Sequence, residues 1–181
     1  RRLVLYDVNP HCLEFARLVV RLILIADSRR AFLARYCSRP MPSEPTPANE
    51  AAILGQPGNA ALWRDTRQQL DPSLHAVFDR TLGALRDAPL VGMRLRGGLR
   101  GVLHCPAFPN SRAFTLCGAP EKGHADSIRS LFVGAGWLAD DATYRRTREV
   151  LQSAVIETRA TPLADLADED LFADTHTVLY A

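Results

Sequence analysis

Leu3-Val4-Leu5-Tyr6-Asp7-Val8-Asn9-Pro10 is the stretch on which the fold turns. Leu3 to Tyr6 form a continuous apolar run with β-favouring members, the pattern of a strand covered on both faces in a parallel sheet. Pro10 suits the first turn of a helix, where its missing N–H costs nothing, and Asn9 is a good cap before it. The following segment, to about Ala26, is apolar nearly all round. Glu14, Arg17 and Arg21 make only a narrow polar stripe at helical spacing, so most of this helix is expected to be buried. A strand that ends in an acid and turns at once into a helix is how an open parallel α/β sheet presents a ligand site at the carboxyl end of a strand.

The second helix starts at Asp27 or Ser28, with Ala31, Phe32, Leu33 and Tyr36 inward and Arg29, Arg30 and Arg35 outward. Residues 39 to 59 change character, with four prolines in the nine residues from Arg39 to Pro47. Proline removes donors and fixes φ, so regular structure is not expected there. The segment reads as a surface insertion, with a lid over a site as the second reading. Helices are expected near 60 to 70 and 73 to 86, separated by the Asp71-Pro72 cap signal. Ala61, Leu62, Leu70, Leu74, Phe78, Leu82 and Leu85 supply their apolar spacing.

Residues 90 to 117 read as β-rich, with a hairpin turning at Gly97-Gly98. Arg94, Arg96 and Arg100 beside these glycines are either exposed charge on that hairpin or an anion-gathering cluster. The last third regains the α/β rhythm. Asp140 or Asp141 caps a helix with Tyr144, Thr147, Val150 and Leu151 inward and Arg145, Arg146 and Arg148 outward. Val155 to Thr158 is a strand, Pro162 to Asp170 an acidic turn, and Thr175 to Ala181 a final buried strand.

The expected architecture is α/β: a three-layer, Rossmann-like, mostly parallel sheet within one domain over residues 1 to 181. Residues 39 to 125 form a helical and β-hairpin insertion, a cover between the second and third core strands. The length of 181 residues, with 47% apolar and 23% charged residues, suits one domain with a sizeable core. A net charge of +2 gives no argument for nucleic acid or a membrane surface. The longest apolar run, Leu18 to Ala26, is broken by Arg21 and too short to span a bilayer. Cys12, Cys37, Cys105 and Cys117 lie far apart without C-x-x-C pairing, which suits reduced core thiols and a cytoplasmic protein. Together with His11, His104 and His124 they match no zinc spacing. No serine sits in a Gly-x-Ser-x-Gly elbow, and none of the five scattered histidines is expected to pair with an acid at helical spacing.

An acid at a strand end can take both hydroxyl protons of a ribose diol in a charge-assisted pair, and Asp7 sits at such an end. Capping of the next helix is the alternative role for Asp7. The stretch Leu-Tyr-Asp-Val-Asn-Pro-His-Cys-Leu-Glu-Phe-Ala-Arg, residues 5 to 17, resembles the second-strand motif of class I S-adenosylmethionine-dependent methyltransferases. It is also similar to relatives that transfer the aminocarboxypropyl group of the same cofactor. Residues 140 to 181 are similar to the next units of that fold. The resemblance implies S-adenosyl-L-methionine as cofactor and an unassigned acceptor. It implies Asp7 on the ribose hydroxyls, Val8 and Asn9 along the adenosine, and Asp165 near the adenine amino group. The family's glycine-rich loop belongs about 20 residues before the acid. Only six residues precede Asp7, so the reading expects a truncated domain, with an open sheet edge that favours self-association. Two other functions remain open: a non-catalytic α/β scaffold, and a nicotinamide-dependent oxidoreductase that also uses an acid at this strand end.

Overall fold

Strand β1 (Arg2–Tyr6) pairs in parallel with β2 (Val155–Arg159), Leu3 opposite Ile156 and Leu5 opposite Thr158. The computed structural model describes residues 2–7, 9–46, 49, 52–53, 55–87, 136–138 and 140–160. Parallel neighbours need a long crossover. Here it contains α1 (Pro10–Ile25), α2 (Arg29–Cys37), α3 (Ala60–Gln69), α4 (His75–Asp87) and α5 (Asp141–Ser153), with short 3₁₀ turns at Pro72–Leu74 and Gly136–Leu138. The described chain is therefore a mixed helix and strand fold with a two-stranded parallel sheet. Among the described residues no helix is long and apolar enough to cross a membrane.

Helices α1, α2, α3 and α5 start where a polar side chain takes an otherwise unpaired N–H. Asn9 accepts from the His11 amide, Ser28 from Ala31, Asn59 from Leu62 and Asp140 from Thr143, while Asp71 accepts from Ser73 at the 3₁₀ turn. The choices between Asp27 and Ser28, and between Asp140 and Asp141, fall to Ser28 and Asp140. Helix α2 ends on Ser38, whose backbone is left-handed at φ 53°.

The core gathers on α1. Phe15, Leu18, Leu22 and Ile23 pack with Phe32, Leu33 and Tyr36 of α2, Phe78 and Leu82 of α4, and Tyr144 and Leu151 of α5. Trp137 stands edge-on to Phe32, with ring centroids 5.0 Å apart. Trp63 is the buried aromatic of α3 and stacks on Phe78 at 4.1 Å. The expected inward residues Ala61 and Val150 are exposed instead, Val150 by 37%. Residue 150 lies about a third of a turn off the Tyr144–Leu151 line, which is the line that meets α1.

The proline-rich segment is no loose surface insertion. Its proline content argues against regular structure, yet residues 49, 52 and 53 are helical, Met41 and Ile53 join the core and Arg39 is fully buried. The Arg39 guanidinium donates to the carbonyls of Cys37 at 2.6 Å and Gln56 at 2.8 Å, tying both limbs of the segment to the end of α2. The Asn59 amide donates to Ser38 O at 2.7 Å and closes the loop. The expected hairpin at 90–117 and the strand at 175–181 lie outside the described residues.

The carboxyl end of α1 is closed by α5. The buried Tyr144 hydroxyl lies 3.1 Å from Ile23 O and 3.3 Å from Ala26 O, and Arg148 donates to Leu24 O at 3.3 Å. Burial pushes the Tyr144 phenol well above its ordinary value, so it remains a donor. Tyr144→Phe leaves these carbonyls short of a donor and is expected to lower stability by about 1–3 kcal/mol in urea denaturation. Gly58 passes so close to the Arg86 carbonyl that an added Cβ would collide with backbone. Gly58→Ala is accordingly expected to cost about 1–3 kcal/mol in the same measurement.

Candidate functional site

The parallel ladder runs one residue past β1, because the Asp7 amide donates to Arg159 O at 3.1 Å. Asp7 therefore stands at the carboxyl end of a paired strand. Its Oδ1 accepts the Asn9 amide at 2.8 Å, and Asn9 Oδ1 accepts the His11 amide at 3.0 Å. Two successive side-chain caps of this kind lock the turn between strand and helix. Among the described residues Asp7 Oδ2 has no hydrogen-bond partner, and Asp7 is only half-buried. Of the two roles foreseen for Asp7, ordering the turn is the one its Oδ1 performs here.

The first turn of α1 keeps few donors for a ligand. Pro10 has no N–H, the His11 amide goes to the Asn9 side chain, and the amides of Cys12 and Leu13 go to Asn9 O at 3.0 and 3.4 Å. This turn therefore suits a ligand that donates to Asp7, such as a hydroxyl pair, over an anion seeking amides. Val8 and Asp165, the other two residues assigned to the cofactor, lie outside the described residues.

The expectation that no histidine pairs with an acid at helical spacing is corrected by His11 and Glu14. His11 Nδ1 lies 3.3 Å from Glu14 Oε2, three residues on, and Arg80 of α4 donates to the same oxygen at 2.7 Å. Arg80 first, and then His11, hold the Glu14 carboxyl below its ordinary value. The i, i+3 spacing on one helix face was the available signal. All three side chains are about half exposed, so the cluster ties α1 to α4 with little energy.

Among the described residues no three histidine, cysteine or acidic side chains gather as metal ligands. Cys12 and Cys37 are buried. No family model, no curated protein and no solved structure matches this chain.

The strand pair that carries Asp7 is laced by charge. Arg2 grips Glu157 with two hydrogen bonds of 2.8 and 2.9 Å, and Arg159 adds one of 3.2 Å. The Arg2 hydrogen bonds lead in holding the Glu157 carboxyl below its ordinary 4.5. A folded value below the unfolded one means that the pair stabilises at neutral pH and stops doing so as pH falls through the folded value. The melting-temperature gap between the wild type and Glu157→Gln is expected to close as pH is lowered from 6 to 3. A gap that stays constant over that range contradicts this role for the pair.

Proposed function

We propose that β1, α1 and β2 are the second strand, its helix and the third strand of a three-layer Rossmann-like sheet. In this reading the chain belongs to a transferase that uses S-adenosyl-L-methionine. The observation that supports it most is the state of Asp7. At the carboxyl end of a parallel strand pair, one carboxylate oxygen is fixed by the Asn9 amide and the other has no hydrogen-bond partner among the described residues. That arrangement fits the ribose diol of a nucleoside cofactor, whose hydroxyls donate.

When bound, S-adenosylmethionine supplies a methyl or aminocarboxypropyl group activated by its sulfonium. The part of this chain is to hold and orient. Asp7 would accept the ribose hydroxyls while Asn9 keeps the turn in place, and the resemblance assigns Val8 to the adenosine and Asp165 to the adenine amino group. Positioning of an acceptor in line with the activated carbon supplies most of the rate in such a transfer.

Calorimetric titration of the full-length protein with S-adenosylmethionine tests the reading. Binding by the wild type is expected, weakened about tenfold or more in Asp7→Asn through loss of a charge-assisted bond. The amide oxygen of that variant can still accept the Asn9 N–H, so the turn is kept. If the wild type takes up no cofactor, or if Asp7→Asn binds as well, the transferase reading fails. Uptake of NAD in its place points to the oxidoreductase.

A further inference from the structure

A groove of about 700 Å³ runs along the side of the sheet, between α1, the Gln69–Leu74 corner and β2. None of its lining residues belongs to the Asp7 turn. Arg17 and Arg21, one turn apart on α1, stand on one wall. Gln69 and Asp71 form the opposite corner, Thr158 lies on β2, and Leu24, Leu70 and Ile156 are among the apolar residues beneath. A volume of this size falls in the range of small-molecule sites.

The hydrogen-bonding capacity of the lining is divided by type. Arg17 and Arg21 are exposed, and among the described residues neither is held in an ion pair. Two guanidinium groups at this spacing can take a phosphate between them. The other side offers acceptors. The Gln69 amide nitrogen donates to both Asp65 oxygens, at 3.0 and 2.9 Å, which turns its carbonyl oxygen away from that carboxylate. Asp71 uses Oδ1 for the Ser73 amide at 2.8 Å, and the two arginines add to the stabilisation of its charge. Thr158 can donate or accept. The lining carries two guanidinium groups against one carboxylate, a charge balance that favours an anion.

We infer that this groove binds a small phosphate monoester bearing hydroxyl groups, with the phosphate on Arg17 and Arg21 and the hydroxyls on Asp71, Gln69 and Thr158. The site stands apart from the cofactor turn and does not rest on the transferase reading.

Isothermal titration of the full chain at low salt with glycerol 1-phosphate and with inorganic phosphate tests the inference. Saturable binding of the ester, tighter than that of inorganic phosphate, is expected. Arg17→Gln and Arg21→Gln should each weaken it about tenfold. Both side chains are exposed, so these changes leave the core intact. Arg64→Gln, which removes an exposed charge on α3 outside the groove, should leave affinity unchanged. Absence of saturable binding overturns the inference. So does equal affinity for the two probes, or an equal loss in Arg64→Gln.

Discussion

An α-helix that ends inside a protein leaves carbonyl oxygens that something must satisfy, and α1 ends that way. Its last turn lies against Tyr144 and Arg148 of α5, whose donors meet Ile23 O, Ala26 O and Leu24 O. A buried carbonyl without a donor costs about 1–3 kcal/mol, a large fraction of the stability of a domain this size. Tyr144 lies 121 positions from Ile23, so the helix at the start of the chain is completed by one near its other end. Arg29 strengthens the same junction, with its Nε on Leu138 O at 2.7 Å and its amide 3.2 Å from Asp141 Oδ1.

The sheet follows from that docking. Only Ala154 separates α5 from β2, so the helix that closes α1 also delivers Val155–Arg159 alongside Arg2–Tyr6. Register then places Arg159 O opposite the Asp7 amide. Asp7 is thus held by long-range packing through its backbone and by a local turn through Oδ1. Among the described residues Oδ2 accepts no hydrogen bond.

Much of this could be read along the chain because the controlling interactions are local. Asn9, Ser28, Asp71 and Asp140 act on amides two or three residues away, and such caps are written in adjacent letters. The His11–Glu14 pair is equally local, three residues apart on one helix face. Other features were not visible in that way. The composition of residues 39 to 59 speaks for surface, yet a fully buried guanidinium and two core side chains hold the segment inward, through partners up to 17 residues apart. Val150 looked as apolar as Leu151, and only the angle at which α5 meets α1 separates them. Arg17 and Arg21, a polar stripe in the sequence, lie on the exposed side of α1. The groove beside it needs β2 and the Gln69–Leu74 corner, which come together only in three dimensions.

Native-state amide hydrogen exchange tests most directly the claim that α1, α5 and the strand pair form one cooperative unit. If α5 completes α1, the amides of α1, α5 and β2 open together, with a common free energy and a common dependence on denaturant. Exchange of α5 and β2 at low free energy while α1 stays protected would contradict the account, because α1 would then stand without its closing partner.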